Sequence, residues 1–210
     1  MTVKPRLRGV SHQWAFFVSL VAGVALVATA PNEKAMLAVG IYAVSLAALF
    51  GTSAIYHRIT WVSEKARRWM RRLDHSMIFF LIAGTYTPFA LLVLKGGLGI
   101  VILATVWGGA LAGVLMKLIW IDAPKWVIAI TYVALGWVAV AAFPALFSKL
   151  GVTATLLVAL GGVLYTVGAV VYALKRPDPV PAVFGYHEIF HLLVIVAAAV
   201  QYAVIAVYVL

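Results

Sequence analysis

The sequence predicts an all-α integral membrane protein, a bundle of seven transmembrane helices with its N-terminus cytoplasmic and its C-terminus outside. Three observations predict it. Of 210 residues, 65% are hydrophobic and only 10% are charged, against roughly 45–50% apolar and about 25% charged in a soluble domain. Seven runs free of Lys, Arg, Asp and Glu in their interiors approach the roughly 20 residues of helix that cross a hydrocarbon core of about 30 Å. With the N-terminus inside, only Lys34, Lys95 and Lys149 of the sixteen basic residues fall outside, so thirteen lie on the cytoplasmic side. The net charge of +10 is therefore topological and does not mark a nucleic-acid binder. No cysteine is present, which excludes disulfides and thiolate metal sites.

The runs are Gln13–Ala30, Ala35–Tyr56, His75–Leu94, Gly96–Met116, Trp126–Phe147, Leu150–Leu174 and Ile189–Leu210. Their connections are short except for the stretch from Arg58 to Leu73, so residues 1–210 read as one transmembrane domain. Ala28-Thr29-Ala30 mimics a signal-peptide cleavage site, but the apolar run before it is too long and Pro31 follows it directly. The first run is expected to be a true helix, with His12 at its cytoplasmic start.

Helix 2 ends in Ser53-Ala54-Ile55-Tyr56-His57, which puts Ser53 and His57 on one face, four residues apart. Residues 58–73 follow as a cytoplasmic basic segment in which Trp61, Val62, Ala66, Trp69 and Met70 fall near one side. That pattern predicts a short interfacial helix lying among anionic lipid headgroups. Helix 3 opens with Asp74-His75 and carries Gly84 and Pro88, which predict a kink, with Thr85 and Thr87 satisfying freed backbone groups. Gly109 and Gly113 in helix 4, with Gly161, Gly162 and Gly168 in helix 6, are close-packing signals. Pro177-Asp178-Pro179-Val180-Pro181 stops helix 6 as a stiff linker. Helix 7 opens with His187-Glu188-Ile189-Phe190-His191, whose two histidines share a face at the spacing that grips a metal ion.

All five histidines thus sit at cytoplasmic ends of four helices, level with Asp74. Ionisable groups near lipid are costly, so this clustering points to a metal site. Without cysteine, His, Asp, Glu or water must hold the ion.

Ser53-x-x-x-His57, Asp74 and His187-x-x-x-His191, in this order and at these depths, resemble the progestin and adipoQ receptor family. Leu73-Asp74-His75-Ser76 and Ala83-Gly84-Thr85-Tyr86-Thr87-Pro88-Phe89 resemble its bacterial hemolysin III branch, related to adiponectin receptors. The resemblance covers nearly the whole chain. It implies a zinc ion (Zn2+) just below the inner membrane surface, with His57, His187 and His191 as ligands, Asp74 holding a water beside it and Ser53 supporting the cluster. Bacterial members often begin helix 1 with Glu-x-x-Asn-x-x-x-His; here only His12 fits, with Pro5 and Arg8 at the other two positions.

These features lead to an expectation: a multi-pass protein of the inner (plasma) membrane whose partners are membrane lipids. Its chemistry is expected to be zinc-assisted hydrolysis of an acyl amide or ester, with Asp74 as general base. Two alternatives use the same residues. A metal pinning helices 2, 3 and 7 would suit a non-catalytic sensor, receptor or channel-like cytolytic protein. His187-Glu188-x-x-His191 also fits the zincin pattern of an intramembrane metalloprotease, with Glu188 as base.

Overall fold

The computed structural model describes residues 5–94 and 96–210. Lys4 and Lys95, both used in the charge tally, lie outside the described residues. The described chain is helical, with α1 Val10–Ala28, α2 Glu33–Arg58, α3 Glu64–Pro88, α4 Gly97–Ile119, α5 Lys125–Gly136, α6 Phe143–Leu174 and α7 Tyr186–Val204. Among the described residues there is no strand, only an isolated bridge between Val180 and Phe184.

Six helical stretches are long and apolar enough to cross a membrane. Their outward faces are as apolar as their inward ones: Val21 is 74% exposed, Ile100 71% and Val207 70%. A helix that is hydrophobic all round needs an apolar surrounding, which here is lipid. The inward faces make one core through Tyr42, Leu46, Leu49, Phe79, Val106 and Ala198.

The fifth stretch spans Lys125–Leu174, 50 residues, but it is not one rod. Trp137 Nε1 donates to Thr166 Oγ1 at 2.9 Å, whereas 29 residues of straight helix would separate them by roughly 43 Å. The chain reverses at Gly151, which has φ 83° and ψ 178°, a conformation open to glycine and strained for other residues. A 3-10 segment, Trp137–Ala142, joins α5 to the first arm of α6.

The expected interfacial helix at 58–73 is not a separate element. Ser63 caps α3 by accepting from Ala66 N at 3.3 Å, and helix continues from Glu64 without a break through Asp74 to Pro88. No breaker lies between the cap and Pro88, so the basic segment forms the opening turns of helix 3. At the far end, Thr85 and Thr87 hydroxyls donate to Leu81 O and Ala83 O at 2.8 and 2.9 Å. Beyond Pro88 the helix widens into a π turn over Phe89–Val93, the accommodation that a missing proline N–H invites.

Helix contacts run α1–α2, α2–α3, α3–α4, α5–α6 and α6–α7, and α1 closes against α7. A Cβ on Gly84 would strike Ser45, and one on Gly113 would strike the Phe79 ring. These glycines let α3 approach α2 and α4 closely. The residues before α1 are tied to the loop before α7, where Arg6 N donates to Ala182 O at 3.0 Å and Leu7 N to Val183 O at 3.1 Å.

Candidate metal centre

Each candidate residue reaches the site from a helix end. His57 lies in the last turn of α2, with Ser53 one turn deeper, while His187 and His191 occupy the first two turns of α7. Asp74 and His75 sit at the start of the fourth turn of α3, placed there by the continuous helix from Ser63.

His57, His187 and His191 are buried, and one nitrogen from each lies within 4.8 Å of the others. The Nε2 atoms of His57 and His187 are 3.2 Å apart. A tetrahedral ion with metal–nitrogen bonds of about 2.0–2.1 Å separates its ligand nitrogens by roughly 3.3 Å, so the pair has the spacing of two ligands of one ion. The donor set fits as well, since each neutral imidazole offers one ring nitrogen as an acceptor and imidazole is a common metal ligand. These three histidines could hold a metal ion.

Asp74 Oδ2 lies 3.8 Å from His57 Nε2 and 3.8 Å from His75 Nδ1. The carboxylate therefore stands beside the histidine group, one atom too far for a direct hydrogen bond and close enough to share a water with it. Ser53 lines the same pocket as Asp74 and meets His12 Nδ1 at 2.8 Å.

His12 and His75 join the site. The His12 ring stacks on His191, with centroids 3.7 Å apart and planes 10° from parallel. Its ring thus fixes the plane of a candidate ligand while its Nδ1 fixes the hydroxyl of Ser53. His75 is held by Arg71 O at 2.7 Å and by the Tyr172 hydroxyl at 3.3 Å. The sequence signals for these two histidines are that every histidine falls at the same depth, that His12 fits the last position of the helix-1 pattern and that His75 lies in Leu73-Asp74-His75-Ser76. Which of them touches a ligand ring depends on α1 packing on α7, which no local pattern encodes.

Glu188 has a different role from the one the zincin pattern assigns. Its Oε1 pairs with Arg8 Nε, and its Oε2 accepts Gly185 N at 2.9 Å, capping α7. Both oxygens are engaged, which gives Glu188 a place in capping α7 and in tying the α1 entry to it. Arg8, at one of the two positions that depart from the bacterial helix-1 pattern, is the residue that makes this pair.

The pocket holding His12, Ser53, Asp74, His75, His187 and His191 has a volume of about 40 Å³. Beside it lies a larger apolar cavity of about 120 Å³ among α3, α5, α6 and α7. Leu49, Ile78, Tyr132, Ala169, Phe190 and Val194 line both. The polar site and the apolar cavity are thus neighbours with a common wall.

A family model for haemolysin-III-related proteins matches residues 1–202. The chain belongs to this family. Among its haemolysin-III relatives, the hemolysin-3 homolog of Bacillus subtilis (strain 168) is 32% identical over 205 residues, covering 96% of this chain and 92% of that protein. Hemolysin-3 of Bacillus cereus is 31% identical over 204 residues, covering 96% and 90%. The human monocyte to macrophage differentiation factor is 28% identical over 165 residues, covering 77% of this chain and 66% of that protein. A haemolysin-III-related chain with six long apolar helices is a multi-pass membrane protein, consistent with the inner membrane.

Proposed function

We propose that this protein is a zinc-dependent hydrolase of an acyl amide or ester lipid, built as a single domain that crosses the inner membrane seven times with its N-terminus inside. Gly151 serves as the turn between the fifth and sixth crossings. The observation that carries the activity is the shared wall between the apolar cavity and the histidine pocket. That arrangement suits a substrate with a hydrocarbon tail in the cavity and a carbonyl among the histidines.

His57, His187 and His191 would hold the ion, and an all-imidazole set with no thiolate suits zinc. When bound, zinc supplies Lewis-acid polarisation of a carbonyl and an acidified water. Asp74 accepts the proton of the attacking water at Oδ2. The water oxygen bonds to the acyl carbon, the acyl C–N or C–O bond breaks, and Asp74 returns the proton to the departing amine or alcohol. Ser53 holds the carboxylate in place, and His12 holds Ser53. Phe190 and Tyr132 close the apolar side and exclude bulk water. The exposed Lys65, Arg67 and Arg68 at the start of α3, with Arg72 seated 4.9 Å over the Trp69 ring, suit contact with anionic headgroups.

Lipid profiles of cells lacking the protein, complemented with wild type or with Asp74→Asn, test the activity. Only wild type should restore the profile. Full restoration by Asp74→Asn, with metal retained, would leave the non-catalytic sensor as the reading.

A further inference from the structure

The apolar cavity is lined mainly by hydrocarbon, so the few polar side chains on its wall can be accounted for one by one. Thr85 donates to Leu81 O, Tyr86 to Gly136 O, Tyr132 to His75 O, Trp137 to Thr166, and Thr166 to Gly162 O. Each is satisfied within the protein. Two atoms differ: the Tyr165 hydroxyl and Gln201 Oε1 are buried without a hydrogen-bond partner among the described residues. Gln201 is 5% exposed. Its Nε2 donates to Val158 O at 3.1 Å, and a carbonyl can only accept, so the amide orientation is fixed and Oε1 is left as an acceptor. Gln201 also lies against Gly161, where a Cβ would strike Nε2. Tyr165 is one turn from Gly161 on the same face of α6, and both Tyr165 and Gln201 line the cavity.

Leaving a buried acceptor and a buried hydroxyl unmade on the wall of an apolar cavity is costly, and such groups call for a partner. Gln201 Oε1 requires a donor, whereas the tyrosine can give or accept. A keto group satisfies only the tyrosine, and an unsubstituted chain satisfies neither. A hydroxyl serves both kinds of partner from one atom. Gln201 lies ten residues beyond His191 on α7, about 15 Å deeper.

We infer that the cavity binds a lipid tail that carries a hydroxyl group along its length, received by Gln201 and Tyr165. This rests on the reading that an acyl tail occupies the cavity, and it names the kind of tail.

Purified full-length protein in lipid nanodiscs, titrated with a saturated fatty acid bearing one mid-chain hydroxyl and with the unsubstituted acid of equal length, tests it. The hydroxylated acid should bind about tenfold tighter, the scale of one well-made hydrogen bond to a buried partner. Gln201→Leu and Tyr165→Phe should each remove most of that preference and leave affinity for the unsubstituted acid unchanged. Without ligand, Tyr165→Phe should melt no lower than wild type, since it deletes an unpartnered hydroxyl; this separates lost recognition from lost folding. Equal binding of the two acids by wild type, the result if ordered water satisfies both groups, overturns the inference and leaves the acyl reading intact. A preference that survives in both variants overturns it too. Binding of neither acid overturns the acyl reading and the inference together.

Discussion

At the histidine end of the bundle, helices meet through polar side chains that hold one another: His12 stacks on His191, Ser53 meets His12, and His75 is fixed between Arg71 O and the Tyr172 hydroxyl. Elsewhere they meet through missing side chains, with Gly84 against Ser45, Gly113 against Phe79 and Gly161 against Gln201. The first kind of contact is specified by chemistry and can lose it while staying folded. The second is specified by shape, so that volume is what it cannot gain. Substitutions at the two kinds of contact should therefore fail in different ways.

The largest effect is expected from His57→Ala, which should abolish stoichiometric metal in the purified protein as read by elemental analysis; full metal content in the variant would break the ligand assignment. Next comes Asp74→Asn, which should keep the metal and lower lipid hydrolysis by about 10²–10⁴, the range for a lost general base. Among the glycine contacts, Gly113→Leu should destabilise by about 1–3 kcal/mol through overpacking. Thermal unfolding in detergent measures it, and an unchanged melting temperature would show that Phe79 can move aside. His12→Phe retains the stack on His191 but loses the bond to Ser53, so hydrolysis should fall about tenfold, the scale of one buried hydrogen bond, while metal is kept. The smallest effect on activity is expected from Glu188→Gln. The amide oxygen can still cap Gly185 N, so metal and hydrolysis should persist in an enzyme assay; loss of activity with the metal retained would return Glu188 to the role of base.

The depth of the ionisable residues made much of this legible in the sequence. Lipid confines charge to the ends of spans, so counting runs placed His57, Asp74, His187 and His191 at one level before any packing was known. The basic stretch after Arg58 was harder. Alternating Trp and Arg at helical spacing fits an interfacial helix and the opening of a longer one equally, and the decision lay in Ser63 acting as a cap with no breaker after it. The Arg8–Glu188 pair, 180 residues apart in sequence, leaves no local trace, and Glu188 stood out for the wrong reason. The unpartnered atoms of Tyr165 and Gln201 were invisible for a related cause: a tyrosine or glutamine in an apolar run reads as satisfied until its neighbours are known.

The tie between the residues before α1 and the loop before α7 has a consequence for biosynthesis. Arg6, Leu7, Arg8 and His12 leave the ribosome well before Ala182, Val183, Glu188 and His191, which emerge only after α1–α6 have been made. α1 therefore waits, with a charged arginine and a polar ring uncommitted, until α7 inserts. Two of the three histidines that could hold a metal ion arrive on α7. An ion bound by all three would therefore be captured only once α7 has joined α2.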